Sequence, residues 1–468
     1  MSKFFKYESV KQRLENELFN SMQPGDFLPP LPELCNMFQV SSITLNRALR
    51  DLAAEGKLER IKHRGTRLRP AAAELRSDIP GKKMLRILST HPHSWMIMQV
   101  LEKKLVDFCR SHGNLELRLE YTSREEQLER LKDNDYDLIF ADSGQLKLML
   151  YSSVLRHKIR PLSAITGLHF NSDEYAPSAI KLASDHRNVL YGMPLTAGPN
   201  LQLINRSSGM APELMNLSNV YDSWFKQLAN LQKNRQPLLI MPLDYRYMEP
   251  IFRSYGVQLF DDDTRQCNLD TPRSREVIKM LEYYLHQQQL GMLVTEQKGL
   301  LDTVQDGVLK YSPVALRISS TIFLKPACSC VSFAVKTPPQ AKCMANWLFW
   351  EGVLVGKCCD CSIAADLLNY LQSASVQSML PGCTSLPARL DMQNLALAAY
   401  EPEFPGITAA YKLGMQHADN PAALPYDVLR EFNLYLRTVI CGMETVGGSI
   451  KAAAKRINNL LLNSQYQK

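Results

Sequence analysis

Within this 468-residue chain, Asp26 to Arg69 constrain the fold most, because two short helical patterns and a basic hairpin follow one another there in a fixed order. Pro24-Gly25-Asp26 ends an amphipathic run over residues 4–21, in which Phe4, Val10, Leu14 and Leu18 recur on one face. Pro32 opens a short helix with Leu34, Met37 and Phe38 as core positions. Val40-Ser41 makes the turn, and Ser41 or Ser42 offers a hydroxyl to cap the next helix. Leu45, Ala48, Leu49 and Leu52 line that helix's buried face, and Gly56 ends it. Residues 57–69 then hold Lys57, Arg60, Lys62, Arg64, Arg67 and Arg69 against Glu59 alone, with Gly65-Thr66 at the tip. Such an order predicts a winged helix-turn-helix, whose second helix enters the DNA major groove.

Charge points the same way. Residues 1–83 carry 15 Lys or Arg against 10 Asp or Glu, so +5 of the chain's +7 sits on a small N-terminal module. On the helical register, Ser42, Thr44, Asn46, Arg47 and Arg50 fall away from the core, with Ser41 beside them. They are the candidates for the groove, and Lys62, His63, Arg64, Gly65 and Thr66 of the hairpin are the candidates for gripping phosphate. Asn46 has the two groups that read adenine, and Arg47 or Arg50 can reach phosphate.

The stretch resembles the GntR family of bacterial transcription regulators. The residues that carry the likeness are Pro24-Gly25-Asp26-x-Leu28-Pro29, Glu33-Leu34, Val40-Ser41, Ala48-Leu49, Leu52, Glu55-Gly56 and Arg64-Gly65-Thr66, over about residues 1–70. It departs from the family pattern at Ser42 and Asn46, where arginines are common, and at Leu31-Pro32. Base reading is therefore expected to lean on Thr44, Asn46 and Arg47. The resemblance implies double-stranded operator DNA as a partner and, as for major-groove readers on two half-sites, a homodimer.

The chain is too long for one core, so further domains must follow. Residues 71–83 read as a linker. From residue 84, strands alternate with helices: Leu85–Ser89, a helix over Trp95–His112 striped by Ile97, Leu101, Leu105 and Phe108, then Leu115–Tyr121, a helix over 123–134, and Tyr136–Ala141. That alternation predicts an α/β fold with a parallel sheet, whose ligands bind beyond the carboxyl ends of the strands.

Residues 191–205 form an extended run punctuated by Gly and Pro. They resemble the interlobe crossing strand of the solute-binding-protein fold of sugar transporters, the type II periplasmic-binding fold. Val220–Trp224, Gly256–Asp263, Asn268–Pro272, a helix over 273–287, an amphipathic helix over 338–354, Leu380-Pro381-Gly382, Leu386-Pro387-Ala388 and a last helix at about 447–463 follow in the family's order. The resemblance covers residues 84–465 and implies two lobes, one of about 84–192 and 313–400 and the other of about 195–312 and 400–468. Between them it implies a cleft for a small-molecule effector, a sugar or oligosaccharide. Sugars need aromatic faces and carboxylates or amides. His91, Trp95, Asp142, Asn200, Asp244, Tyr245 and Tyr247 stand where cleft loops are expected, whereas Trp347 and Trp350 fall in a helix stripe and read as core.

No apolar leader segment opens the sequence and no run of 18 apolar residues occurs, so a cytoplasmic chain with no membrane partner is expected. Eleven cysteines then read as reduced thiols, and Cys358-Cys359-Asp360-Cys361 lacks the paired spacing of a zinc site. No cofactor and no enzymatic activity are expected. A second reading gives the large domain pyridoxal-phosphate chemistry like that of the aminotransferase-type members of the GntR family. Its nearest lysine context is Gly447-Gly448-Ser449-Ile450-Lys451, without the serine-rich flank. A third makes the large domain a ligand-free dimerisation scaffold.

Overall fold

The computed structural model describes residues 10–11, 13–14, 18, 28–54, 58–61, 65–68, 83–90, 97–261, 265–294, 314–318, 332–381, 385–420, 422 and 424–463. The chain forms two compact units, Met1–Ile139 and Phe140–Lys468.

In the first unit, helix α1 (Leu31–Phe38) has a proline in its first turn. It ends at Gln39, whose left-handed φ of 53° lets its N–H return to the Cys35 carbonyl. That turn aims the chain into α2 (Ser42–Ala54). The Ser41 hydroxyl accepts the Thr44 N–H at 3.3 Å, which is the expected cap. Strands β1 (Leu58–Ile61) and β2 (Gly65–Leu68) form an antiparallel hairpin from Leu58↔Leu68 to Ile61↔Gly65. Leu28 adds its N–H to the Thr66 carbonyl at 2.8 Å. Leu34, Phe38, Leu45, Ala48, Leu49 and Leu52 join Val10, Leu14, Leu18, Leu28 and Leu58 in one core.

Two expectations change here. Met37 is 49% exposed. Leu34 and Phe38, one helical turn apart, take the core, and Met37 lies about 100° round the helix from Phe38. Gly65 and Thr66 are paired residues of β2 rather than the hairpin tip.

The same unit then builds a parallel sheet. Strand β3 (Lys83–Thr90) pairs with β4 (Leu115–Thr122) from Lys83↔Leu115 to Thr90↔Thr122. On its other edge β3 meets the start of β5 (Leu138–Asp142) at Ile87↔Leu138. Parallel strands require crossovers, supplied by α3 (Ile97–Ser111) and α4 (Arg124–Asp133). Ile97, Leu101, Leu105 and Phe108 are buried along α3 as their spacing predicted. Ser123 and Glu126 form a capping box that starts α4.

The second unit is organised on one strand. β7 (Gly192–Asn205; β6, Ile159–Arg160, precedes it) is 14 residues long and buried throughout. Its partners change in mid-course. Gly192–Pro199 pairs antiparallel with Leu348–Leu354, and Thr196 and Ala197 pair with Leu386–Pro387. Asn200–Ile204 instead pairs with Val314–Ile318, and Gln202–Asn205 with Phe333–Lys336. The crossing strand is thus present, and its partner switch falls at Pro199–Asn200. Residues 314–318 and 333–336 side with the second half of β7, so the return passage falls between Lys336 and Leu348, later than the boundary near 313 read from sequence.

We number the remaining strands of the sheet that contains β7 as β8 (Leu239–Pro242), β9 (Gly291–Val294), β10 (Val314–Ile318), β11 (Phe333–Lys336), β12 (Leu348–Gly356) and β13 (Leu386–Pro387). β8 runs parallel to β10 and to β9, widening the sheet beside the second half of β7.

Residues 338–354 are not a helix: β12 occupies their second part. Short apolar runs satisfy either period, and the pairing partner decides. Trp347 and Trp350 are buried as expected, at 6% and 1% exposure. Gly352 follows a register shift at Glu351/Gly352. A Cβ on Gly352 would stand 2.4 Å from the Trp350 ring and 2.6 Å from the Met193 carbonyl oxygen, so only glycine fits.

Helices α5 (Ser143–Tyr151), α6 (Tyr221–Leu231), α7 (Tyr245–Ser254), α8 (Pro272–Glu282), α9 (Cys361–Leu371), α10 (Ile407–Gln416), α11 (Tyr426–Ile440) and α12 (Val446–Asn463) cover this sheet. The helix expected at 273–287 is α8 followed by one π-helical turn over Tyr283–Gln287. α11 and α12 bring Phe432, Leu436, Ile450 and Ile457 into one core with Trp224, Phe225 and Phe252.

Candidate functional site

The DNA-reading candidates lie on and before α2. Ser42, Asn46 and Arg50 recur every four residues and share one helix face. Ser42, Arg47 and Arg50 are exposed, and Thr44 and Asn46 are half-buried. Ser41 is exposed but tied to Thr44, with the two hydroxyls 3.0 Å apart. Thr66 is half-buried within the hairpin. Lys62, His63 and Arg64 lie outside the described residues, as do His91 and Trp95 of the expected effector cleft.

In the second unit, helix starts and the crossing strand position the effector candidates. Asp142 caps α5, accepting the Gln145 N–H at 3.0 Å while the Gln145 side-chain oxygen accepts the Asp142 N–H at 2.9 Å. Asp244 caps α7, accepting the Arg246 N–H at 3.0 Å. The Arg246 guanidinium then folds back onto the same carboxylate, at 2.7 Å and 3.2 Å, in a two-pronged grip. It also lies 5.9 Å above the centre of the Phe349 ring. Burial alone would lower the Arg246 guanidinium, but Asp244, with Tyr247 and Asp142 adding, holds it above its ordinary value. The Tyr247 ring stands 6.1 Å from Phe349.

Phe349 pairs with Gly198 on the crossing strand, one residue before its partner switch. The structure therefore gathers Asp142, Asp244, Arg246, Tyr247 and Phe349 at that switch. Asn200, just past it, donates from Nδ2 to the Arg246 carbonyl at 3.1 Å. Its Oδ1 is buried and finds no hydrogen-bond partner among the described residues. Asn200 lines a small recess with Tyr221, Met241, Tyr247, Pro250 and Asn346. An unpaired buried acceptor costs about 1–3 kcal/mol unless something donates to it.

Tyr245 takes another place. It is 1% exposed, with Phe260, Trp347 and Phe432 each packed edge-on at 5.4 Å, and belongs to the core. Its expected place in the cleft is not met, because the first residue after the Asp244 cap points back into the helix packing. Arg246 and Phe349 were missed. Arg246 was legible as the second residue after a helix-capping aspartate. Phe349 was hidden inside the run misread as helix.

Beside the site, two buried asparagines hold three passages of chain together. Asn346 Nδ2 donates to the Asn200 carbonyl at 3.0 Å, and its Oδ1 accepts the Asn200 N–H at 2.9 Å and the Trp347 N–H at 2.8 Å. Asn420 donates to the Leu348 carbonyl and to the Ser143 hydroxyl, both at 2.8 Å, and accepts the Leu348 N–H at 3.0 Å. Arg253 donates to the Asn346 and Asp419 carbonyls. Its Nε lies 3.3 Å from Glu249, which is 1% exposed. Burial pushes the Glu249 carboxyl up to about 7, with Arg253 opposing. Lys451 is exposed on α12. Among the described residues no helix is long and apolar enough to cross a membrane.

Residues 6–68 match the family described as bacterial regulatory proteins, gntR family. The N-terminal segment is 39% identical over 61 residues to a probable fructoselysine utilization operon transcriptional repressor of Escherichia coli K12. It is 41% identical over 61 residues to the histidine utilization repressor of Klebsiella aerogenes. Each match covers 13% of this chain, which thus spans about a quarter of the length of the curated relatives it matches. The rest resembles solved sugar-binding proteins. An ABC substrate-binding protein from Listeria monocytogenes in complex with cycloalternan superposes with a TM-score of 0.65 at 13% identity, over 82% of this chain and all of that one. The sugar-binding protein MalE from Xanthomonas citri gives 0.64 at 14% identity, over 81% and 98%. At such identities the likeness is one of fold.

Proposed function

From a GntR-family helix-turn-helix domain at the N-terminus and a large domain with the fold of sugar-binding solute-binding proteins, we propose that this chain is a DNA-binding transcription regulator responsive to a small molecule, a sugar or oligosaccharide. The observation that carries the effector half is the cluster at the Pro199–Asn200 switch. There Asp142, Asp244, Arg246, Tyr247 and Phe349 supply the aromatic face and charged hydrogen-bonding groups that polyols need. Asn200 adds a buried acceptor that has no partner among the described residues. Because the strand changes partners there, a ligand bound at the switch would bias a hinge.

The DNA half rests on Thr44, Asn46 and Arg47 for bases, and on Ser41, Ser42, Arg50, Lys62, His63, Arg64, Gly65 and Thr66 for backbone contacts. A cytoplasmic homodimer would set two such heads on two half-sites, and ligand-driven closure would alter their placement. Sugar utilisation is the setting that the name of the fructoselysine relative suggests for the regulated genes.

Native mass spectrometry of the purified full chain tests the effector half. A retained carbohydrate mass, absent from Arg246→Ala, supports it. A chain that neither retains nor is thermally stabilised by any mono- or oligosaccharide of a broad panel would leave the large domain a scaffold.

A further inference from the structure

The turn after β12 carries chemistry that the effector cleft does not use. Cys358 and Cys361 are spaced C-x-x-C, and Cys361 is the first residue of α9. Neither forms a disulfide; Cys358 is exposed and Cys361 half-buried. Gly356 accepts the Cys359 N–H at 3.2 Å, which folds the turn tightly. Asp360 caps α9 through the Ser362 N–H at 2.9 Å.

One guanidinium meets the turn. Arg160, on β6, places Nη1 2.6 Å from the Cys361 sulfur, and its Nη2 donates to the Lys357 carbonyl. β6 pairs with the end of β12 at Val355↔Arg160, so the guanidinium is fixed by sheet register rather than by a loop. The Lys357 N–H donates to the Lys158 carbonyl at 2.8 Å, which ties the turn to the residues before β6. Asp360 is the acidic residue of the turn and already serves as a cap. The Ala164 carbonyl lies 3.8 Å from the Cys361 sulfur, at the outer limit of a contact.

Cys343 provides the contrast. It is also exposed, but its thiol donates to the Arg253 carbonyl at 3.2 Å and to the Ser254 carbonyl at 3.6 Å. Those contacts need the proton on sulfur. At Cys361 the sulfur instead accepts, from the Arg160 guanidinium, which only donates. Cys359 is 3% exposed and cannot be reached from solvent.

We propose that Cys361 and Cys358 form a redox-modification site: Cys361, at the start of α9 with the Arg160 guanidinium donating to its sulfur, is the sulfur that hydroperoxides oxidise, and Cys358 is the sulfur that resolves it. The Cys361 thiolate attacks one peroxide oxygen, the O–O bond breaks, and hydroxide leaves to take a proton as water. The Cys358 sulfur then attacks the sulfenic sulfur, the S–O bond breaks, and the hydroxyl departs with the Cys358 proton as a second water. The two thiols lose two electrons in forming one disulfide, and the hydroperoxide gains them.

The test uses the full chain, hydrogen peroxide as the probe, and peptide mass spectrometry to follow each cysteine. Cys361 should be oxidised at least about tenfold faster than Cys343, and the product should be a Cys358–Cys361 disulfide. Cys358→Ser should instead accumulate a Cys361 sulfenic acid that a cyclic 1,3-diketone traps. Arg160→Gln should slow Cys361 by about tenfold and leave Cys343 unchanged, with Arg160→Lys recovering part of the rate. Oxidation of Cys361 at the rate of Cys343, a disulfide joining other cysteines, or indifference to Arg160→Gln overturns the proposal. If Arg160→Gln fails to fold, the Cys361-to-Cys343 ratio in the unaltered chain and the Cys358→Ser trap still decide it.

Discussion

Asn346→Ala is the sharpest probe of the crossing. The wild-type side chain is 3% exposed and makes three hydrogen bonds to backbone, two of them to Asn200 and one to Trp347. Alanine leaves the Asn200 N–H, the Asn200 carbonyl and the Trp347 N–H without this partner. A net loss of about 1 kcal/mol for each bond gives ~3 kcal/mol, and more if water does not enter. Urea unfolding with a slope of about 3 kcal/mol/M or steeper turns that into a midpoint drop of up to ~1 M. Leu395→Ala, at a residue 64% exposed, is the control and should move stability by less than about 0.5 kcal/mol. The reasoning fails if Asn346→Ala and Leu395→Ala have the same midpoint, because the asparagine would then not be holding the passages together.

Three other outcomes follow from particular residues. Glu249 holds its proton more tightly folded than unfolded, its carboxyl rising from 4.5 to about 7 through burial and the nearby Asp419, against Arg253 and Lys147. Its contribution to stability is therefore full below about 4.5 and is lost as pH rises through about 7; Glu249→Gln should match the parent near pH 5 and exceed it by up to ~3 kcal/mol near pH 8. Equal unfolding midpoints at the higher pH would contradict this. Gly352→Ala should cost ~3 kcal/mol or prevent folding, since its Cβ meets a ring and a carbonyl at 2.4 Å and 2.6 Å. A circular-dichroism melt unchanged from the parent would show that the bulge can open. Arg64→Ala should weaken binding to all DNA sequences alike and flatten the plot of log affinity against log salt by about one unit, whereas an unchanged slope removes Arg64 from the phosphate contacts.

Local sequence was sufficient where local spacing decides the structure. The α1–α2 core was legible because Leu34, Phe38, Leu45, Ala48, Leu49 and Leu52 recur at helical steps beside Pro32 and Ser41. The α3 stripe and the parallel β3–β4 pair were legible for the same reason. Met37 failed because a single short helix carries two possible apolar faces, and only the partner chosen by α2 selects one. Residues 348–356 failed more seriously. Leu-Phe-Trp-Glu-Gly-Val-Leu-Val-Gly satisfies a helical stripe and a buried strand alike, and β7 settles it from 150 residues away. Losing β12 hid Phe349, and with it the ring beneath Arg246. The return passage was misplaced because the partner of Val314–Ile318 is likewise remote in sequence. Tyr245 and Tyr247, two residues apart at the start of one helix, were indistinguishable as letters. One packs against three rings and the other lines the recess.

Reciprocal linkage between DNA and effector tests the central claim most directly. A DNA fragment selected for binding by the full chain, and the sugar retained on it, would be titrated in both orders at one salt concentration. A regulator built as proposed shows DNA affinity changing by some factor at saturating sugar, sugar affinity changing by the same factor at saturating DNA, and both changes vanishing in Arg246→Ala. DNA affinity that stays the same with the sugar site full would contradict the account, however tightly each partner binds alone.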